Sequence, residues 1–260
     1  MIEIRDIHFQ HAHAREPVLK GISMHAEAGK LTTILGPNGS GKTTLFKCIA
    51  GLWKPETGDI LFKGDSILNY GHDRRARVIA VVPQEHEPPF PYSVLDAVLM
   101  GRAAHVGMFT TPSKKDAAIA EKSIEAVGIE HLRARPYTKI SGGERQLVLV
   151  ARALAQESPV MLFDEPTSHL DFRNQVTVLM KMKEIIRQRR VSAVMTIHDP
   201  NLAMLFSDSV VLVSDGCVVS QGNAHAVINE ANLGAVYGID VDILRVNGTR
   251  FVTPRLKTED

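Results

Sequence analysis

Gly36-Pro37-Asn38-Gly39-Ser40-Gly41-Lys42-Thr43 set glycines, a lysine and a hydroxyl at the spacing Gly-x-x-x-x-Gly-Lys-Ser/Thr. Glycines let the backbone curl until its N–H groups point inward, which makes an anion-binding nest at the start of a helix. In such a nest Lys42 is placed to reach β- and γ-phosphates, and Thr43 to put its hydroxyl on Mg²⁺. A glycine-rich turn with a solvated lysine could share the spacing. The flanks argue otherwise: Leu31-Thr32-Thr33-Ile34-Leu35 reads as a buried strand, and Thr44 to Ala50 as a helix. Strand, loop and helix in that order imply a nucleoside triphosphate site.

A second set of groups stands at strand ends. Val160-Met161-Leu162-Phe163 is an apolar strand that runs into Asp164-Glu165-Pro166. Carboxylates at the tip of a buried parallel strand sit where open α/β sheets bind ligands. Asp164 suits Mg²⁺ through water, and Glu165, one step further out, suits an attacking water. Val191 to Ile197 reads as another buried strand that delivers His198. A histidine there is often only a hydrogen-bonded loop residue; here it joins other strand-end polar groups. Ser141-Gly142-Gly143-Glu144 opens the run Leu147 to Leu154. Ser141 and Glu144 make a Ser-x-x-Glu capping box. Two glycines after a cap cost about 1 kcal/mol each relative to alanine, which a helix start open to a phosphate would require.

The elements that must hold these groups follow from pattern and punctuation. Ile2, Ile4 and Ile7 predict an edge strand, Val18 to His25 a second, and Asp59 to Asp65 a strand with a tight turn. Arg77 to Val82 predicts a short strand ending at Pro83-Gln84. Pro88, Pro89 and Pro91 then break the chain. Ser93 with Asp96, and Ser113 ahead of Lys114 to Val127, predict capped helices, the latter with Ala117, Ala120, Ile124 and Val127 on one face. A helical insertion is expected over about 86–155. Thr167 to Asp171 leads into a helix from Phe172 to Arg189, whose basic tail reads as a solvated face. Val210 to Val213 and Cys217 to Ser220 predict a terminal hairpin around Asp215-Gly216, and 222–260 a mixed tail with a helix near Asn223 to Tyr237.

Composition narrows the class. The chain has 260 residues, 44% hydrophobic, enough to bury a core. Thirty basic and 29 acidic residues leave a net charge of +1, so no overall field favours nucleic acid or an anionic membrane surface. Cys48 and Cys217, the two cysteines, have no metal-ligand spacing and read as thiols of a reducing compartment. His8, His11 and His13 cluster near Phe9; without a carboxylate or cysteine partner they read as surface rather than a metal site. No signal peptide is expected at the start, nor any bilayer-spanning run.

Taken together, the chain resembles the ATP-binding subunit of an ABC transporter over nearly its whole length. The resemblance rests on GPNGSGKT at 36–43, Gln84 as the Q-loop, ISGGERQ at 140–146 as the signature, VMLFDEP at 160–166 as Walker B, SHLD at 168–171 as the D-loop, and His198 as the switch histidine, all in the family's order. The run Pro91-Tyr92-Ser93-Val94-Leu95-Asp96-Ala97-Val98-Leu99-Met100-Gly101-Arg102, Ser168 to Gln175, and the ending near Tyr237-Gly238-Ile239 are similar to importers of metal chelates (iron–siderophore, haem, cobalamin) and to their molybdate and tungstate relatives.

That resemblance implies an α/β fold: a P-loop NTPase core with a RecA-like mixed sheet, an N-terminal antiparallel β subdomain and an inserted α-helical signature subdomain. The whole of 1–260 would form one ABC ATPase domain, with about 86–155 inserted and about 222–260 as the tail. It implies ATP and Mg²⁺, with Lys42, Gln84, Glu165 and His198 catalytic, Thr43, Gln84 and Asp164 on the metal, and 36–43 with Thr44, His11, Ser141, Gly142, Gly143 and Asp171 on the nucleotide. The adenine-stacking ring falls on His11 or Phe9. It further implies a head-to-tail dimer with a second copy, two transmembrane permease subunits met through the segment after Gln84, an indirect substrate-binding protein, and a cytoplasmic position on the inner face of the membrane. Ile140, Glu144 and His169 depart from the family's usual leucine, glutamine and D-loop alanine. Rival readings are an ABC ATPase without a transport role, such as a DNA-repair, chromosome or iron–sulfur assembly protein, and a non-catalytic nucleotide sensor.

Overall fold

The computed structural model describes residues 1–12, 14–84, 90–107 and 110–255; the expectations at His13, Pro88 and Pro89 lie outside the described residues. The chain forms two compact units, one of 1–68 with 194–260 and one of 69–193.

The first unit begins with β1 (Ile2–Phe9), β2 (Leu19–Ala26), β3 (Leu31–Leu35), α1 (Lys42–Ala50), β4 (Thr57–Phe62) and β5 (Asp65–Ser66). The second holds α2 (His72–Ala76), β6 (Ile79–Val82), α3 (Val94–Leu99), α4 (Lys114–Val127), α5 (Gly142–Ala155), β7 (Val160–Asp164) and α6 (Phe172–Arg189). From β8 (Ser192–Ile197) the chain returns to the first unit with α7 (Pro200–Phe206), β9 (Ser209–Ser214), β10 (Cys217–Asn223), α8 (Ala224–Val227), α9 (Glu230–Tyr237), β11 (Val241–Val246) and β12 (Thr249–Pro254).

In the first unit β1 pairs antiparallel with β2 and β4, and β4 with β5. Ile2, Ile4 and Ile7 are buried opposite Ala26, Met24 and Ile22, and a register shift between Ile4 and Ile7 accommodates the three-residue step that strict alternation would not. The other sheet is mixed. β3 runs parallel to β9, from Thr32 beside Ser209 to Leu35 beside Leu212, and β9 pairs antiparallel with β10. Every residue of β3 is buried, which explains why its sequence reads as an unbroken run instead of alternating. Its two threonines are tolerated because they can be satisfied; Thr33 Oγ1 lies 2.6 Å from Ser207 Oγ.

The second unit places β6 and β7 parallel, Ile79 beside Val160 through Val82 beside Phe163. Helices α3 to α6 begin where side chains cap them. Ser93 with Asp96, Ser113 with Asp116 and Ser141 with Glu144 each form a reciprocal capping box, and Asp171 caps α6 by accepting from Asn174 N at 2.8 Å. A buried cation ties the helical part together. Arg102, 4% exposed, donates to Asp116 at 3.0 Å, to the Ala155 carbonyl at 2.7 Å and to Glu157 at 2.8 Å.

Four expectations change. The strand of Ile2, Ile4 and Ile7 is not an edge: β1 lies between β2 and β4 and is paired on both sides. The stretch before β6 carries a short helix, α2, and the strand starts at Ile79 instead of Arg77; α2 has no buried residue and hence no apolar period to betray it. The helix expected near Asn223 to Tyr237 is split into α8 and α9, with Asn223 and Asn229 each capping a new start. The hairpin at Asp215-Gly216 is not the terminal one. β11 and β12 pair beyond it across Asn247-Gly248, both at positive φ, the turn that Asn-Gly favours.

Arg102→Met leaves Asp116 beside an apolar chain and strips two further acceptors. We expect it to lower the unfolding free energy by about 3 kcal/mol, measured by urea denaturation. The bonds from Ser113, and then from Arg102, hold the Asp116 carboxyl down at about 2. Its stabilising contribution is therefore complete above an unfolded-state value of about 4 and is lost as the pH falls toward 2. That acid-side loss should shrink in the Arg102 variant.

Candidate functional site

The loop 36–43 leaves β3 and enters α1 without any side-chain cap: Gly41 sits at the cap position with φ 100°. The first N–H groups of α1 are thus not taken by a capping side chain. Close approach dictates the glycine at the loop's start. A Cβ on Gly36 would lie 2.1 Å from the Val213 carbonyl of β9, whereas one on Gly39 would meet nothing within 4 Å. Lys42, 4% exposed, is folded over the loop and donates to the Gly36 and Pro37 carbonyls at 2.8 Å each. Ser40 is buried, and its hydroxyl has no hydrogen-bond partner among the described residues. Thr43 is exposed and Thr44 buried. A first glycine with no room for a side chain, a lysine bent over the loop and an unsatisfied buried hydroxyl fit a phosphate chain.

His198 follows β8, the strand next to β3, and is exposed where α7 begins under an Asp199 cap and Pro200. Near the end of β1, Phe9 stacks on Trp53 with centroids 5.3 Å apart and planes at 8°. His11 meets both rings edge-on, at 5.0 and 4.9 Å, and Lys47 Nζ lies 4.3 Å from the Trp53 centroid. Trp53 escaped the sequence reading because it sits in a loop with no periodicity. One face of Phe9 is given to it, and Phe9 is buried while His11 is exposed.

In the second unit Asp164 ends β7 and Glu165 follows with φ 44°, a left-handed conformation that side chains seldom adopt. Ser168 N closes the turn onto the Glu165 carbonyl at 3.2 Å. Gln84, just past β6, donates its amide nitrogen to Ser168 Oγ at 3.1 Å and more weakly to Glu165 Oε2 at 3.4 Å. A cavity of about 220 Å³ is lined by Gln84, Gly142, Gln146, Glu165, Ser168 and His169, so the start of α5 shares a space with the strand-end carboxylate. Gly142 is exposed; Gly143 is buried, and a Cβ there would be 2.9 Å from Asn174, the residue that Asp171 caps. Hydrogen bonds from Ser141 hold the Glu144 carboxyl below its ordinary range. Within this unit Gln84, Glu165 and the first turn of α5 come together, whereas Asp171 is engaged in capping α6.

A strand–phosphate loop–helix unit with acidic groups at strand ends defines a P-loop nucleotide-binding fold. Comparison with known proteins agrees: the sequence profile of the ABC transporter family matches residues 19–168. An ATP-binding protein of Helicobacter pylori assigned to iron chelatin transport is 36% identical over 245 residues, covering 94% of this chain and 95% of that one. The hemin import ATP-binding protein of Bordetella avium is 34% identical over 248 residues, 92% and 94% of the two chains. A solved inward-facing ABC transporter, assigned to the metal-chelate type, superimposes with a TM-score of 0.85 at 30% identity, covering 99% of this chain and 98% of that one. The chain belongs to the ABC transporter ATP-binding family and has its fold, a mixed α/β core with an N-terminal antiparallel sheet and a helical insertion. ATP binding and hydrolysis are the activities of that family.

Gly36→Ala and Gly39→Ala separate contact from conformation. The first should cost about 3 kcal/mol, because neither β3 nor β9 can yield to a methyl against a carbonyl. The second, at φ 80° in open space, should cost about 1 kcal/mol. Thermal unfolding of the nucleotide-free protein reads both.

Proposed function

We propose that this chain is the ATP-hydrolysing subunit of an importer that carries a metal chelate across the cytoplasmic membrane. The observation that carries the hydrolytic part is Glu165, fixed in a strained turn directly after β7 with Gln84 bonded beside it. Phosphoryl transfer is mostly positioning and charge stabilisation, and these residues supply both. The loop 36–43 holds the phosphates through backbone N–H groups, Ser40 and Lys42. Thr43, Gln84 and Asp164 offer oxygens that suit Mg²⁺, which when bound would neutralise charge on the phosphate oxygens. Glu165 orients and deprotonates the attacking water, and His198 contacts the γ-phosphate. Of the two rings weighed for adenine, the exposed His11 is the better placed, since Phe9 is committed to Trp53.

The Ser141-Gly142-Gly143 start of α5 completes the site of a second copy, so that ATP joins two subunits head to tail and hydrolysis parts them. Support comes from the motif order and from a helix start kept clear of side chains by its glycines. The segment after Gln84 carries the motion to two permease subunits, and a substrate-binding protein takes part indirectly. Among the described residues no helix is long and apolar enough to cross a membrane, in keeping with a subunit that reaches the inner membrane face through partners. The relatives named for iron chelatin and hemin favour a metal chelate over molybdate, tungstate or a role outside transport. Uptake of each chelate by the reconstituted complex tests the cargo.

Glu165→Gln should cut ATP turnover by about 10²- to 10⁴-fold while ATP still drives dimer formation, seen by light scattering. Turnover at the normal rate would refute the role given to Glu165.

A further inference from the structure

The turn after β7 contains a hydroxyl whose bonding has only one consistent direction. Ser168 Oγ donates its single proton to the Glu165 carbonyl at 3.1 Å. It is then left with lone pairs and can only accept. Gln84 lies 3.1 Å away through Nε2, and its second neighbour, Glu165 Oε2 at 3.4 Å, is a carboxylate that likewise only accepts. Both contacts demand the –NH₂ end of the Gln84 amide. The carbonyl end, Oε1, is thereby directed away from both acceptors. The stronger contact by distance is the one to Ser168, and it does not require Glu165 to hold still.

We propose that Ser168 is a positioning residue for hydrolysis: it fixes the sense of the Gln84 amide, so that an oxygen and not an –NH₂ group is presented to the cation, and it braces the strained Glu165 turn. This rests on the reading of Gln84 and Glu165 given above. Ser168 is exposed, so its hydroxyl is not needed to fill the core.

The test compares the full-length protein with Ser168→Ala, Ser168→Thr, Gln84→Ala, the Ser168→Ala/Gln84→Ala double variant and Glu165→Gln. Ser168→Ala should lower kcat about tenfold, the worth of one well-placed hydrogen bond, with KM for ATP and Tm nearly unchanged. Ser168→Thr, which keeps the hydroxyl, should restore most of the rate. In the Gln84→Ala background the serine change should cost little more. Binding of Mn²⁺ in the presence of ATP, followed by electron paramagnetic resonance, should weaken in Ser168→Ala and recover in Ser168→Thr. Wild-type turnover and Mn²⁺ affinity in Ser168→Ala, with Glu165→Gln inactive, would overturn the proposal and leave the hydrolytic reading standing. An equal loss in the Gln84→Ala background, or a lowered Tm accounting for the loss, would also overturn it. Full activity in Glu165→Gln would remove the hydrolytic reading, and the proposal with it.

Discussion

The loop between β3 and α1 can exist only because nothing projects from Gly36. Its Cα lies so close to the Val213 carbonyl of β9 that a methyl would have to occupy the space of an oxygen. That approach is possible because β3 and β9 run in parallel register up to Leu35 and Leu212, and the pairing is held by a strand buried at every residue. The chain is thus brought to a fixed point before it curls, and the N–H groups of the loop and of α1 are aimed by the sheet instead of by loop side chains. Preorganised donors of this kind cost nothing to align when charge arrives.

The side chains proposed above for catalysis share one placement. Glu165 and His198 directly follow β7 and β8, and Gln84 stands two residues past β6. Burial makes a strand rigid, and the first residues past it are where a polar group can emerge without desolvation. Glu165 goes further and adopts a left-handed backbone that a carboxylate side chain gains nothing from locally. Two hydrogen bonds from Ser168 to its carbonyl stabilise that turn. The helices of the second unit use a similar economy. The Ser-x-x-Glu box that starts α5 spends its side chains on capping, leaving Gly142 open at the surface and Gly143 packed on Asn174.

Much of this was legible before any coordinates. Cap residues announce α3, α4, α5 and α6 because a serine or aspartate there bonds locally, a relation carried by a few adjacent residues. The cradle and the strand-end carboxylates are likewise local patterns bounded by apolar runs. What escaped depended on distant partners or on absent periodicity. The α2 helix buries nothing, so no apolar stripe marks it. The stacking of Phe9 on Trp53 joins residues far apart in the chain, and with it the exposure of His11 could not be read. The contact between Gln84 and Ser168 spans 84 residues. The last hairpin is a different case: Asn247-Gly248 between Val241–Val246 and Thr249–Pro254 is a local turn signal, but its flanking runs carry no clean alternation to mark them as strands.

On the reading proposed above, the loop after β3 grips phosphate and the base is a lesser contact. Calorimetric titration of the full-length protein with ATP and, separately, with adenosine tests this directly. Losing two or more charge-assisted contacts should weaken adenosine by at least about a hundredfold relative to ATP. Adenosine bound as tightly as ATP, or ATP not bound at all, would contradict the account at its base.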